Sequence, residues 1–498
     1  MIIKSTFQLD RFVIRLIILS GITLSLIQFF SGRSIWRDEA VLALSIINRS
    51  SLELFNPLDD KQVASMIFLQ MEKLFSILLP HTDLGLRLFP LLCFFLALYF
   101  FYRLLTLLFS NTRTIIFALS IFVFNAFILR YATEVKQYMC DVLAISAIFY
   151  FLVKNYRNEK SKFIVLGLAG VISIFLTSVA PIILFSAGFY LLLTQFSGGK
   201  NNLKLVILQV VPWGIAFTFY YFLFIHNNEN IANQVKSFSR VDGFVSINPF
   251  STEFYHYLRL LINFDYKKVL PFGTISLVVL GVFIVAGIIA LSKQKRFDLL
   301  FLTLLPVIMH LILSELKIYP IKPRLILYHV PLLIIIISFG YNQLMKLTSK
   351  NSKSAVYKGI KWVLPILLIF SMFMFNEFPW KGPEIKRSIE FIQERIKPNE
   401  KLFIHAAARK SFYYYKKIGF VKFTNREKYG KTWDLRDEQA FSELQILRRK
   451  TWILFIDKTN KYQEIITKKL ENAGYEKIEE FVGNETSVYL VNFGNDKN

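Results

Sequence analysis

The sequence predicts an all-α polytopic membrane protein with about 11 transmembrane helices, followed by a small C-terminal α/β domain. Three observations predict it. Long apolar blocks recur along most of the chain. Hydrophobic types make up 54% of the 498 residues and charged types only 19%, with a mean hydropathy of +0.44. A soluble chain of this length needs more charge to cover its surface. From about residue 380 the long blocks give way to short apolar runs in polar sequence. A helix needs about 20 apolar residues to cross a bilayer, and lipid offers the backbone no water, so the blocks are best satisfied as helices.

The formal charge is +24 at pH 7. Much of the excess lies in short connectors between apolar blocks, which is the positive-inside pattern. No nucleic-acid motif accompanies it, so the basic balance is read as topology and no nucleic-acid partner is expected. An anionic lipid substrate is compatible with it. The two cysteines, Cys93 and Cys140, show neither a metal spacing nor a disulfide framework.

Lys4, Arg11 and Arg15 stand before a long apolar run ending near Phe30, and the first span is placed at roughly 12–30, with its N-terminus in the cytoplasm. No small-residue cleavage site follows, so it reads as an uncleaved helix rather than a removed signal. The segment 31–85 is outside, with interfacial helices near 38–50 and 62–78. Spans follow at 86–108 and 114–129. The polar stretch RYATEVKQYMCD, 130–141, returns to the outer face, and a fourth span ends near Val153. The basic segment 154–162 is cytoplasmic. The block 163–196 holds two spans divided near Thr177 and Pro181. One span there would put KQKR, 293–296, outside, against the charge rule. Another span covers 205–225, and 226–270 is an external excursion. Spans at 271–291 and 299–313 bracket KQKR. An external loop, 314–324, precedes a span running to Tyr341. A lysine-rich segment, 346–361, leads to a last span at 362–376.

These spans make 1–379 a membrane domain and 380–498 an extracytoplasmic α/β domain. In the tail, helices are predicted at 384–397, 409–417, 437–449 and 460–473. Strands are predicted at 401–407, 451–457, 475–481 and 486–493. No phosphate-cradling glycine motif is present there. The domain reads either as a structural cap or as a substrate-contacting part.

Three polar clusters are candidates for chemistry. The first is SIWRDEA, 34–40, where Asp38 and Glu39 follow the first span beside Trp36. Acids also favour helix N-termini for purely structural reasons. The functional reading is a carboxylate at the membrane surface that accepts a proton from an incoming hydroxyl. Adjacent residues face different ways on a helix, so the two would divide the work. The second is Arg130, Tyr131, Glu134, Lys136, Gln137, Tyr138 and Asp141. As one helix, this stretch would put Glu134, Tyr138 and Asp141 on a shared face, with Arg130 one turn before Glu134. Lys136 would meet a different partner. Such polar groups beside a span are costly unless paired or wet. They form either a self-satisfied ionic cluster or an anion-binding, acceptor-orienting site. The third is Lys317, Tyr319, Lys322 and Arg324, with Pro320 and Pro323 between them. A guanidinium suits phosphate oxygens, and basic residues on an external loop run against the usual bias. His81, His256, His310 and His329 are too scattered for a metal site.

With these residues in view, the chain resembles the bacterial family-39-like membrane glycosyltransferases of the GT-C superfamily, relatives of protein O-mannosyltransferases and of the lipid A aminoarabinose transferase. The likeness rests on WRDEA at 36–40, PLDDKQVAS at 57–65, LRLFPLL at 86–92, EVKQYMCDV at 134–142 and PRLILYHVPLLI at 323–334. The tail contributes little to it. Asp60 and Ser65–Met66 stand where this branch often has an aromatic and a proline. The resemblance implies a GT-C fold and a polyprenyl-phosphate sugar donor. The acceptor would be a glycolipid, polysaccharide or protein at the outer face of the bacterial inner membrane. It gives Asp38 the role of base and Glu39 that of orienting the acceptor. It places Glu134, Lys136, Tyr138 and Asp141 in the same cavity, and Lys317 and Arg324 on the donor phosphate. Prenyl phosphate is a good leaving group, so neither metal nor cofactor is expected. Two other readings are a transporter or flippase of lipid-linked saccharides, and a polysaccharide polymerase or ligase. No paired internal repeat favours transport, and acids gathered at one rim favour surface chemistry.

Overall fold

The computed structural model describes residues 2–155, 161–197, 203–248, 250–252, 273–349, 359, 378–424, 427–430, 450–456, 468–472 and 474–493. The chain forms two compact units. One comprises Met1–Phe29, Ser51–Glu72 and Arg87–Phe378. The other comprises Phe30–Ser50, Lys73–Leu86 and Pro379–Asn498. The tail unit thus takes in two segments of the first loop.

The first unit is helical. Its elements begin with α1 (Ile2–Phe30); α2 (Arg37–Asn48) belongs to the second unit, and α3 (Met66–Leu78) and α4 (Asp83–Leu108) have residues in both. Then come α5 (Thr112–Val123), α6 (Ala126–Tyr131), α7 (Tyr138–Asn155), α8 (Ser161–Leu176) and α9 (Ala180–Ser197). The remaining helices of this unit are α10 (Leu203–Tyr220), α11 (Glu229–Ser239), α12 (Gly273–Lys293), α13 (Phe297–Glu315) and α14 (His329–Thr348). Five described stretches are long and apolar enough to cross a membrane: Leu9–Phe30, Asp83–Leu108, Val206–Ile225, Phe297–Glu315 and His329–Thr348. The expected pair of helices in 163–196 is present. α8 stops at Leu176, and α9 starts with Pro181 in its first turn, where the missing N–H costs nothing.

The third predicted span is not one helix. Asn125 ends α5 and caps α6, its side-chain oxygen accepting from the N–H groups of Phe127 and Ile128 at 3.0 Å each. A buried asparagine that satisfies two amide groups is a stronger signal than the apolar residues around it. The stretch 130–141 is not one helix either. α6 ends at Tyr131, irregular chain follows, and α7 starts at Tyr138. The predicted span at 362–376 and helix at 437–449 lie outside the described residues, as does most of the helix at 460–473.

α12 and α14 pack backbone to backbone. A Cβ on Gly340 would collide with the Phe283 carbonyl oxygen, and one on Gly287 with that of Ile336. Close approach of this kind suits small residues between helices in lipid. Gly340→Ala should therefore force the helices apart and cost about 1–3 kcal/mol. Thermal unfolding in detergent reads this out, and a midpoint unchanged from wild type would contradict the contact.

The second unit holds a five-stranded sheet of order β2-β1-β3-β5-β4. Its tail elements are α15 (Ile385–Arg395), β1 (Lys401–Ile404), α16 (Arg409–Lys417), β2 (Glu427–Tyr429), β3 (Thr451–Ile456), β4 (Tyr475–Gly483) and β5 (Thr486–Phe493). β1 runs parallel to β2 and β3, while β5 is antiparallel to β3 and β4. The central β3 is buried from Thr451 to Phe455, as a strand covered on both faces must be. α15 buries Ile385, Ser388, Ile389 and Ile392, one helical stripe. β2 has only three residues and no alternation, so the sequence did not signal it. α2 packs on α16 within this unit.

Candidate active site

In the second unit, α2 opens on the acidic motif. Glu39, the third residue of α2, is fully buried, with a side chain 0% exposed against 1% for its partner Arg33. The Arg33 guanidinium meets the carboxylate with two parallel bonds of 2.5 and 2.8 Å, the bidentate geometry that arginine favours. Glu39 also reaches back to the Trp36 N–H at 3.4 Å, half of a capping box. The guanidinium lies 4.8 Å from the Trp380 ring centroid, and Trp36 meets that ring edge-on at 6.4 Å. Asp38 is half-buried on the same first turn. The two acids differ in burial. Glu39 is built into the fold as an internal counter-ion, whereas Asp38 keeps some solvent access.

Tail residues hold this loop. The Tyr415 hydroxyl accepts from the Ile35 N–H at 2.6 Å and donates to Asp83 Oδ2 at 3.2 Å. Lys386 Nζ pairs with the same Asp83 oxygen at 2.5 Å, and the Lys386 N–H donates to Ser34 Oγ at 3.0 Å. Sequence reasoning missed Arg33, Trp380, Tyr415 and Lys386. They lie far from the motif in sequence or look like ordinary surface residues. Only Arg33, six residues before Glu39, was within sight of it.

In the first unit, the second and third clusters meet around Tyr131. Arg130 pairs with Glu134, Nε to Oε2, at 3.2 Å, as the spacing predicted. Lys136 turns away and donates to Gln62 Oε1 at 2.8 Å, the separate partner that was expected. Tyr138 sits edge-on to Tyr131 at 5.3 Å. Because the helix is broken, Glu134 does not share a helix face with Tyr138 and Asp141. Asp141 instead accepts from the Thr177 hydroxyl, at the break between α8 and α9. Burial pushes the Tyr131 hydroxyl well above its usual pKa, and nearby Glu134 adds to this, while the positive charges of Arg130 and Arg324 work against it. Burial likewise raises Tyr319, with Asp141 and Tyr138 adding. Tyr319 and Arg324 are thus within electrostatic reach of the 130–141 segment. Arg324 lies half-buried in a 3-10 turn, Pro323–Ile326. Lys317 is exposed, with a positive φ of 55°, and among the described residues nothing ties its side chain to this cluster.

A further feature escaped the sequence reading. Asp60 and Lys61 both have positive φ, 51° and 60°, in the exposed turn after Leu58. Two consecutive left-handed non-glycine residues are strained and persist only when the surroundings hold them. α11 supplies the hold. Asn230 Nδ2 donates to the carbonyls of Leu58 at 2.7 Å and Gln62 at 3.1 Å, and Gln234 Nε2 donates to that of Lys61 at 3.1 Å. Gln137 adds to the clamp, accepting from Ser65 N–H and Oγ at 2.7 and 2.8 Å. The sequence offered the motif PLDDKQVAS but no sign of the strain.

No protein-family model matches the sequence. No curated protein matches it either. The fold does have counterparts. The crystal structure of ArnT from Cupriavidus metallidurans bound to undecaprenyl phosphate matches 95% of this chain and 98% of that one, with a TM-score of 0.53 at 12% identity. The apo state of the same protein matches 95% and 97%, with a TM-score of 0.51 at 11% identity. The chain has the GT-C fold.

Within this GT-C fold the two units carry different chemistry. The second unit presents Asp38, a carboxylate suited to taking a proton. The first unit presents two guanidinium groups, Arg130 and Arg324, whose charges converge on one buried tyrosine. Arginine forks of this kind suit phosphate oxygens.

Proposed function

We propose that this chain is a family-39-like glycosyltransferase. It takes a sugar from a polyprenyl-phosphate donor and passes it to a glycolipid, polysaccharide or protein acceptor at the outer face of the bacterial inner membrane. The observation that carries this reading is the likeness of fold, over 95% of the chain, to an ArnT structure that holds undecaprenyl phosphate. The convergence of Arg130 and Arg324 supports it. In this reading the N-terminus is cytoplasmic and the tail domain extracytoplasmic.

Asp38 takes the proton of the acceptor hydroxyl. The acceptor oxygen forms a bond to the anomeric carbon as the bond from that carbon to the phosphate oxygen breaks. The electron pair leaves with prenyl phosphate, and its growing charge is met by Arg324, with Arg130 as a further cation. One direct displacement inverts the anomeric centre. Glu134, Lys136, Tyr138, Asp141 and Tyr319 line the cavity that receives the substrates. Glu39 acts through Arg33 to hold the turn that presents Asp38.

The test uses purified protein in lipid nanodiscs with a panel of polyprenyl-phosphate sugars and extracted membrane acceptors. Mass spectrometry should show one donor consumed and one acceptor gaining its sugar. No transfer from any donor, together with unchanged native glycans after gene deletion, would end the transferase reading.

A further inference from the structure

His310 is fully buried near the C-terminal end of α13 and holds the chain on both sides of Arg324. Its Nε2 lies 3.1 Å from the carbonyl oxygen of Pro320, and its Nδ1 lies 2.9 Å from the hydroxyl of Tyr328. A carbonyl only accepts, so Nε2 carries the proton. The neutral ring then accepts at Nδ1 from the Tyr328 hydroxyl. One imidazole thus grips two points, each four residues from Arg324. The ring is fixed in turn by Tyr319 edge-on at 5.0 Å, by Tyr328 stacked at 5.8 Å and by His329 at 5.2 Å.

The rest of the loop is tied to a different element. The Ile321 N–H donates to the Gly243 carbonyl at 2.8 Å, and Lys322 Nζ donates to that of Val241 at 2.8 Å. Val245, Ile321 and Ile326 share a small apolar cluster. These ties hold the loop from outside, whereas His310 sets the span that carries the guanidinium. Pro323 starts the 3-10 turn and limits the freedom left between the two grips.

We infer that His310 is a positioning residue for the donor phosphate, pinning Pro320 and Tyr328 so that Arg324, midway between them, is held in place. This rests on the reading of Arg324 as a phosphate-binding residue. A guanidinium fork rewards correct placement, because both of its bonds need one geometry.

The experiment measures binding of undecaprenyl phosphate, and separately of undecaprenol, to full-length protein in nanodiscs. His310→Phe keeps a ring but removes both hydrogen bonds. It should weaken undecaprenyl phosphate about tenfold and leave undecaprenol unchanged. Hydrogen exchange should rise in 316–328. Tyr328→Phe removes one bond with little change of shape, and should weaken the phosphate lipid about threefold. In an Arg324→Ala background, His310→Phe should cause no further loss. Equal loss for both lipids, unchanged affinity, or full additivity with Arg324→Ala would each overturn the positioning role. Wild type that binds neither lipid would overturn the donor reading itself, and this inference with it.

Discussion

Asp38→Asn is expected to abolish sugar transfer while leaving the protein folded. The substitution keeps shape and removes the ability to hold a proton. Positioned acid–base groups contribute about 10²- to 10⁴-fold to rate, so transfer should fall by that factor once a donor and acceptor are in hand. Asp38 is half-buried, and the buried counter-ion beside it is Glu39. The thermal midpoint should therefore stay within about 2 °C of wild type. Folding and donor binding are measured on the same preparation. Full activity in the variant would keep the enzyme and remove its base. An acceptor that is itself a phosphate would give an intermediate result, because it needs little deprotonation.

The largest stability effect should come from the neighbouring acid. Arg33→Leu leaves the Glu39 carboxylate buried without its bidentate partner, and breaking such a pair costs about 3–5 kcal/mol. It also removes the cation stacked on Trp380. Glu39→Gln strands the guanidinium in the same way and should be almost as costly. The double variant Arg33→Leu with Glu39→Leu should recover part of the loss, since two apolar side chains leave no uncompensated charge. Thermal unfolding of the four proteins measures this. Singles that unfold like wild type would mean that the pair is wet and not a structural anchor. The contrast with Asp38 is the useful part: adjacent acids in one motif should separate into a rate effect and a stability effect.

Much of the fold was legible because lipid imposes strict rules. Apolar length, basic connectors and the break near Thr177 and Pro181 gave the helix order, and α8 and α9 fall where charge parity required them. The tail strands at 401, 451, 475 and 486 were visible as short apolar runs. The Arg130–Glu134 pair was legible because it is local. The break at Asn125 was not, because one buried polar residue inside apolar sequence overrode periodicity, and the end of the helix at Tyr131 left no local signal. Nor was the strain at Asp60 and Lys61, which depends on amides supplied from α11.

The sequence by itself determined that this is a many-helix membrane chain with a small α/β tail, and it placed the reactive residue types in three clusters. Those follow from burial energy and charge sidedness, which act residue by residue along the chain. Only the tertiary structure decided that Glu39 is an internal counter-ion while Asp38 keeps some exposure. It alone showed that tail residues hold the acidic loop, and that His310 grips the chain on both sides of Arg324. These depend on partners distant in sequence, or on which side of one helical turn faces inward, and neither is written in local pattern.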